Sequence, residues 1–387
     1  MSNAEAIIAL LGALYLSECW IWVRHGSVVF RAFRSGNYKV VGPSSVLGNH
    51  IGGLVFLNPL PPFGTSFICH RFPFSIDTAG TSSLAVQSLA TTGREQQKGK
   101  YVSFAAIQGM WASGGTILIN GQPFASFGES ELATEYANLL VTIWKAPIDR
   151  RKTALDAMLS KLTDTRTLRE RVDVYRRSSR QLRITCHAMF ALLLVLPIAS
   201  LWFPRMRGYW MEWGIVTICC LAAIAAYFYV AHKRLLPGAT TQRWKALITM
   251  VLTPTASVRA CDALSRYILT TYDPLAAAAL LLGQDAFRRF ARRVMLDLAN
   301  PAIEVDPESS REMRQVEESF RMRLSQALEP LLATKGYSLD EVMRPPVPDN
   351  PACLSFCPRC DAQFTVAKGR CADCGGVALH PFQAVAT

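Results

Sequence analysis

The chain is poor in charge, and poorest in acidic charge. Charged side chains make up 18% of its 387 residues, against about 25% in ordinary soluble domains. Its 29 acidic residues are outnumbered by 41 basic ones, which gives a net charge of +12. Such an excess is typical of chains that bind nucleic acid, lie on an anionic membrane surface or carry basic loops inside a membrane. Apolar residues, at 50% of the chain, favour the two membrane interpretations.

Common catalytic signatures are also missing. The sequence contains no GxSxG nucleophile elbow, no HExxH zinc motif and no phosphate-binding loop. Its six histidines form no spaced motif. No residue is therefore predicted to be catalytic, and the sequence favours a protein without enzymatic activity.

A disulfide framework is absent as well. Four of the eleven cysteines form two pairs near the C-terminus. The other seven are scattered or lie in apolar stretches: Cys19, Cys69, Cys186, Cys219, Cys220, Cys261 and Cys353. This spacing argues against a secreted disulfide scaffold and favours a reduced compartment, where paired cysteines bind metal.

The two cysteine pairs form the motif CPRCDAQFTVAKGRCADCGG at 357–376. Cys357 and Cys360 make the first CxxC turn, and Cys371 and Cys374 make the second. A CxxC turn sets two thiolates about one tetrahedral edge apart, so two turns close the four-thiolate shell of a structural zinc site. Segment 353–382 therefore resembles a zinc ribbon, and the resemblance implies structural zinc bound by these four cysteines.

The chemistry of this predicted site is restricted by its ligands. Four cysteines leave no open position for water or substrate, which argues against zinc-dependent hydrolysis. A redox dithiol is disfavoured because the pairs lie outside a thioredoxin-like βαβ context. An iron–sulfur cluster or a rubredoxin-like iron site is the alternative to zinc.

Three apolar runs, at 6–23, 184–203 and 213–231, are long enough to cross roughly 30 Å of hydrocarbon as helices. No Lys or Arg precedes the first run, which argues against a signal peptide. Basic residues follow the first run and flank the outer ends of the other two. The positive-inside rule then predicts three spans in the inner (cytoplasmic) membrane, with the N-terminus outside and the C-terminus in the cytoplasm.

Two polar features near these runs carry open alternatives. Glu18 lies inside the first run, where a carboxylate either has a task or reaches out to the headgroups. Residues 246–253 are apolar but too short to span, and Arg259, Asp262 and Arg266 follow them. We predict interfacial or protein-packed helices here, with a re-entrant element as the alternative.

Residues 24–128 are predicted to form short strands, because β-branched and aromatic runs alternate there with Gly, Pro, Asn and Ser clusters. Asn120-Gly121 predicts a hairpin, and an amphipathic helix follows it, with Leu132, Tyr136 and Leu140 on one face. Strands closed by one helix resemble the architecture of pleckstrin-homology-like domains. This resemblance implies a small barrel or sandwich and no particular site.

The other helical segments each allow two interpretations. Residues 150–183 hold eleven Lys and Arg against four acidic residues, so this basic neck either binds anionic lipid or is a solvated helix that sets topology. The apolar face of 287–298 fits a membrane-surface helix or a helix packed on the bundle. The apolar stripe of 308–334 fits a partner helix or packing within the chain.

The predicted fold is a multi-domain membrane protein with an α-helical membrane part of three spans, a β-rich cytoplasmic domain and a C-terminal zinc ribbon. Its segments are 1–23, an N-terminal transmembrane helix; 24–148, a β-rich domain ending in a helix; 149–183, the basic neck; 184–231, a transmembrane hairpin; 232–344, a cytoplasmic or membrane-surface helical region; 345–351, a linker; and 352–387, the ribbon.

Three functions follow as hypotheses. The favoured one is an integral membrane adaptor or assembly protein, in contact with lipids and with a protein partner bound through its cytoplasmic modules. The second is a membrane enzyme or transport component that uses polar residues around 246–285, with Asp262, Arg266 and Asp273 lining a cavity; its substrate is not specified by the sequence. The third is a membrane-tethered nucleic-acid binder, which is disfavoured because no aromatic residues interleave with the basic ones in the neck.

Overall fold

The computed structural model describes most of the chain with interruptions. The described residues are 3–23, 27–32, 38–41, 54–57, 64–78, 82–86, 100–127, 130–299, 311–358, 361–372 and 376–382. Within them the fold is a mixture of helices and small antiparallel sheets.

The first apolar run divides into a helix and a strand. Helix α1 is Asn3–Glu18, and strand β1 is Trp20–Val23. The four residues WIWV suit an extended chain, and they pair in antiparallel register with Leu54–Leu57. The prediction of one helix across 6–23 is therefore wrong beyond Glu18. The 16 residues of α1 reach only about 24 Å at 1.5 Å per residue, short of a typical hydrocarbon core.

The β-rich region consists of small sheets. Its further strands are β2 (Ser27–Ala32), β3 (Tyr38–Val41), β4 (Leu54–Leu57), β5 (Thr65–His70), β6 (Phe74–Asp77), β7 (Ser83–Val86), β8 (Lys100–Ser103), β9 (Met110–Ser113), β10 (Thr116–Ile119) and β11 (Gln122–Ser126). β1 pairs with β4, β2 lies between β3 and β5, β7 between β6 and β8, and β10 between β9 and β11. Within the described residues these sheets do not close into a single barrel.

The hairpin predicted at Asn120-Gly121 is confirmed. These two residues join β10 to β11, and both have positive φ, +52° and +78°. That backbone is the one that a two-residue hairpin turn requires. Helix α2 (Ser130–Lys145) follows, and Leu132, Tyr136 and Leu140 are buried as their spacing predicts.

The neck and the next two apolar runs are helical. They comprise α3 (Arg151–Thr163), α4 (Thr165–Ser178), α5 (Arg180–Phe190), a π-helical turn at Ala191–Val195, α6 (Leu196–Trp202) and α7 (Trp210–Leu235). Two helical stretches, Arg180–Ser200 and Trp210–Leu235, are long and apolar enough to cross a membrane by length and composition. Only 28% and 17% of their apolar windows are buried inside the protein.

Most residues of these two helical stretches are exposed or half-buried. Helix α8 (Thr240–Leu252) lies against α7 and is exposed in the same way. We call the exposed apolar residues of the four helices α1, α6, α7 and α8 the apolar belt. Its members include Ile7, Leu10, Leu14, Ile198, Trp202, Ile215, Ile218, Val230, Trp244, Ile248 and Leu252.

The remaining helices are buried on their apolar faces. They are α9 (Pro254–Ser257), α10 (Ala260–Ser265), α11 (Pro274–Leu281), α12 (Gln284–Ala299), α13 (Arg311–Ala333) and α14 (Leu339–Met343). The apolar face of α12, including Phe287 and Phe290, lies in the core. The stripe of α13 is likewise buried, against β6, β7 and α3. Both faces therefore pack within the chain, and the membrane-surface and partner-helix interpretations are wrong for them.

The hydrophobic core crosses the predicted segment boundaries. One cluster of buried side chains joins Tyr15, the β-rich region, the neck, both long apolar helices and the helical region as far as Val342. The segment with the cysteine motif has its own small cluster around Cys357 and Cys371. The β-rich region therefore folds around the later helices and shares their core.

A buried ion cluster joins the β-rich region to α10. Asp262 Oδ2 accepts from Nη2 of Arg259 at 2.7 Å and from Nη2 of Arg266 at 2.9 Å. Its Oδ1 accepts from the Ser66 N–H at 3.1 Å, and the Ser265 hydroxyl donates to the Ser66 carbonyl at 2.7 Å. Burial alone raises the pKa of Asp262, but Arg266 and Arg259 outweigh it and the pKa lies below its ordinary value.

Candidate functional site

Two places in the molecule combine chemically active side chains: the cysteine hairpins near the C-terminus and a polar cavity beside α8. The hairpins are built from strands of two residues each. These strands are β12 (Ser355–Phe356), β13 (Gln363–Phe364), β14 (Arg370–Cys371), β15 (Val377–Ala378) and β16 (His380–Pro381).

The first cysteine of each CxxC pair stands where a strand ends: Cys357 directly follows β12, and Cys371 is the last residue of β14. β12 pairs with β13 around the first turn, β14 pairs with β15 around the second, and β16 adds to β12. In the first turn the Asp361 N–H donates to the Cys357 carbonyl at 3.0 Å. In the second turn the Gly376 N–H donates to the Cys371 carbonyl at 2.9 Å. Gly376 has φ +85°, a conformation that suits glycine.

The two described cysteines lie together in the core of this segment. Cys357 and Cys371 are fully buried and pack with Leu379, beside Phe364 and Val377. Cys360 and Cys374, the other two predicted ligands, lie outside the described residues. Among the described residues, no three His, Cys, Asp or Glu side chains cluster as a metal-binding group.

The hairpins are fixed to α12 through one arginine. Arg292 is buried, and its Nη1 lies 2.8 Å from Asp361 Oδ1. The same guanidinium lies over the Phe356 ring, 5.5 Å from the centroid. The predicted linker 345–351 also contacts the hairpins, because Gln363 donates to the Val347 carbonyl and accepts from the Asp349 N–H. Contacts with α12 and with the linker therefore fix the position of the hairpins.

The cavity has a volume of about 450 Å³, within the range of about 300–1,000 Å³ that is usual for ligand pockets. It lies where the ends of α1 and α7 meet α2, α8, α9 and α10. Its charged and polar lining includes Glu18, Glu131, His232, Gln242, Lys245, Arg259 and Arg266. Phe228, Ala246 and Met250 add apolar surface.

Helix α8 has one face in this cavity and another in the apolar belt. Thr241, Lys245 and Thr249 line the cavity, and their spacing of four residues places them on one helix face. Trp244, Ile248 and Leu252 form the next stripe, and they are 54%, 56% and 77% exposed. The two stripes are about 100° apart around the helix, so the polar cavity borders the exposed apolar surface.

Some of the residues predicted to be functional line this cavity, and others do not. Of the three residues expected around 246–285, Arg266 lines it. Asp262 is buried behind the wall in its ion cluster, and Asp273 instead caps the start of α11 by accepting from the Leu275 N–H at 2.8 Å. Glu18 also lines the cavity, which places it among polar groups. Asp262 and Asp273 therefore do not line this cavity.

Sequence reasoning did not place Glu131, His232, Gln242 or Lys245 in this lining. Gln242 Nε2 donates to Glu131 Oε2, which links α8 to α2 across 111 positions of sequence. The threonine and lysine spacing of α8 was a local signal that could have identified this face. The contributions of Glu131 and His232 had no local signal.

The chain matches no family model, no curated protein and no solved structure.

Proposed function

We propose that this chain is an integral membrane adaptor that carries a structural zinc ribbon on a cytoplasmic body. The apolar belt supports membrane contact, because exposed apolar surface of this extent is rare on soluble monomers. The two long helices would cross the bilayer as a hairpin, with α1 too short for a full span of its own.

The shared core supports the topology. β5 is hydrogen bonded to α10 through Ser66 and Asp262, so the β-rich region and the later helices lie on one side of the membrane. An even number of crossings must separate them, and the α5–α7 hairpin provides two. The basic residues at both outer flanks of this hairpin favour the cytoplasm for that side.

The cysteine hairpins fit a zinc ribbon. Two antiparallel hairpins bring Cys357 and Cys371 to one small core, where both are buried. Cys360 and Cys374 would complete a four-thiolate shell, and zinc would supply the stability that so small a core lacks. A cytoplasmic position keeps such thiolates reduced.

The single observation that carries the adaptor role is the way in which this segment is fixed. Arg292 holds one side of it against α12, while Leu354 and Val366 on the hairpins remain 50% and 52% exposed. A module that is rigidly attached and still exposes apolar side chains presents a preorganised surface to a protein partner.

The test uses the full-length protein purified in detergent. We expect about one zinc per chain by elemental analysis, lost in Cys357→Ser and retained in Cys353→Ser, a matched cysteine outside the motif. Cross-linking before purification should recover the same partner with the wild type and with Cys353→Ser. Leu354→Asp should keep its zinc and lose that partner. If Cys357→Ser and Leu354→Asp recover the same partners as the wild type, the adaptor role of the ribbon is wrong.

A further inference from the structure

The cavity beside α8 lies apart from the cysteine hairpins, and its properties do not depend on the proposed adaptor role. Its wall on α9 and α10 is cationic. Arg259 is only 3% exposed, and it donates one hydrogen bond from Nη2 to Asp262. Its Nε and Nη1 are buried and have no hydrogen-bond acceptor among the residues that the structure describes. Buried guanidinium donors without acceptors are costly.

Arg266 likewise has a guanidinium N–H without an acceptor among the described residues. It donates to the Asp262 oxygen that Arg259 already uses, and its own Nε has no acceptor within the described part of the chain. One carboxylate therefore serves two guanidinium groups at this wall, and the two other carboxylates of the cavity, Glu18 and Glu131, lie on α1 and α2. Lys245 on α8 adds a further cation to the lining. The group that fits here is an anion with several acceptor oxygens, such as a phosphate.

The remaining lining restricts the charge of that anion. Glu18 and Glu131 border the same cavity, and carboxylates disfavour a ligand with a large negative charge. A phosphodiester, which carries a single negative charge, suits this mixture better than a phosphomonoester. The carboxylates can also accept hydrogen bonds from an amine or hydroxyl of the same headgroup.

The position of the cavity identifies the rest of the ligand. The polar stripe of α8 faces inward, and the apolar stripe with Trp244, Ile248 and Leu252 is exposed beside it. Phe228 and Met250 add apolar lining. A ligand with a polar head in the cavity and hydrocarbon chains on the adjacent apolar belt would bury both parts in matching surroundings.

We propose that this cavity binds the phosphodiester headgroup of a membrane phospholipid. Arg266 and Lys245 donate to the phosphate, Arg259 adds its positive charge from the buried wall, and the acyl chains follow the exposed stripe of α8. Basic pockets that adjoin membrane helices bind lipid headgroups in this way. The site would serve a transport component as well as an adaptor, and it depends on neither.

Three probes separate a lipid from a free phosphate compound. The full-length protein, freed of lipid in detergent, is titrated with phosphatidylethanolamine, with glycerophosphoethanolamine, which lacks the chains, and with diacylglycerol, which lacks the phosphate. Binding is followed by native mass spectrometry and by thermal stabilisation. We expect one phosphatidylethanolamine per chain, with at least about tenfold weaker binding of the other two probes.

Two variants locate the site. Arg266→Gln and Lys245→Gln should each weaken phosphatidylethanolamine binding by about tenfold or more, since each removes a charged donor. Arg205→Gln, at the far end of the helical hairpin, is the matched control and should bind as the wild type does. Circular dichroism confirms that each variant is folded. Because Arg266 also contacts Asp262, Lys245→Gln keeps the test decisive if Arg266→Gln fails to fold.

The outcomes are distinct. Equal binding by Lys245→Gln and Arg205→Gln would mean that lipid covers the belt without using this cavity, and the proposal would be wrong. If glycerophosphoethanolamine binds as strongly as the lipid, the cavity recognises a soluble phosphodiester, and the lipid proposal is wrong. If diacylglycerol binds strongly, the cavity does not recognise the phosphate, and the proposal is likewise wrong.

Discussion

Helices α7 and α13 are comparable in length, at 26 and 23 residues, and they lie in opposite surroundings. α13 has charged residues on one face and buries the other, including Phe320 and Leu324. α7 is apolar around most of its circumference and leaves Ile215, Ile218 and Val230 exposed. α13 therefore covers its apolar face within the chain, whereas α7 leaves much of its apolar surface uncovered by the residues that the structure describes.

The largest effect is expected in the shared hydrophobic core, where the apolar face of α13 is buried. Phe320 is 2% exposed on α13, and its ring lies 6.0 Å from that of Phe72. Phe320→Ala should lower the free energy of unfolding by about 3–5 kcal/mol, because it leaves a cavity in the shared core. Met322, two residues away and 60% exposed, is the control, and Met322→Ala should change it by less than about 0.5 kcal/mol. Chemical unfolding in detergent measures both, and equal effects would contradict the buried stripe.

The buried ion cluster tests the junction between the β-rich region and α10. Asp262→Asn should destabilise the protein by about 3–5 kcal/mol, because Arg259 and Arg266 would share no carboxylate. The pKa of Asp262 is lower in the folded than in the unfolded chain. Its contribution is therefore fully present above the unfolded pKa of about 3.9, and it is lost as the pH falls through the folded pKa.

The pH dependence supplies the second measurement on this cluster. The difference in stability between the wild type and Asp262→Asn should be constant near neutral pH and should shrink once the pH falls below about 4. A difference that grows on acidification would show that the two arginines do not stabilise the carboxylate.

Exposed positions provide the direct comparison of α7 with α13. Ile218 is 68% exposed on α7, and Met322 is 60% exposed on α13. If α7 crosses a bilayer, Ile218→Arg should cost about 2.5–3.5 kcal/mol of insertion, whereas Met322→Arg should cost less than about 0.5 kcal/mol of stability. The fraction of protein that resists alkaline extraction from membranes measures the first effect. If neither substitution changes the fraction that resists extraction, the membrane interpretation of the apolar belt is wrong.

The smallest effect is expected where the cysteine hairpins meet α12. Arg292→Ala removes the contact with Asp361 and the stacking on Phe356. We expect a loss of about 1–3 kcal/mol, confined to the hairpins and seen as faster amide hydrogen exchange in 353–382. Arg289→Ala changes an exposed arginine on the same helix and should leave the exchange unaltered. Faster exchange across the whole body in Arg292→Ala would show that the hairpins are part of the main core.

Local features of the fold were predictable from the sequence. The turn at Asn120-Gly121 and the buried face of α2 lie where the residue patterns place them. Each depends on neighbours within about one hairpin or a few helical turns. The first apolar run was harder, because the end of α1 at Glu18 depends on the pairing of β1 with Leu54–Leu57, far along the chain.

The candidate sites divide in the same way. The CxxC spacing identified the cysteine hairpins, since its geometry is contained in one short segment. The cavity was only partly foreseen: Glu18 and Arg266 were singled out, but His232 and Glu131 join them only through the packing of α2 and α7 around α8. Asp262 was expected in a cavity, and its contacts with Ser66, Arg259 and Arg266 bury it instead.

The sequence by itself determined which segments are apolar on all sides, which are amphipathic, where the tight turns lie and which cysteines are paired, because these properties follow from the residues in a short window. Only the tertiary structure decided which apolar faces are covered, since α12 and α13 are buried by elements as distant as β6 and β7. It also decided which charges meet. Burial and electrostatic partnership depend on chain segments that are remote in sequence, and their effects are set when those segments pack together.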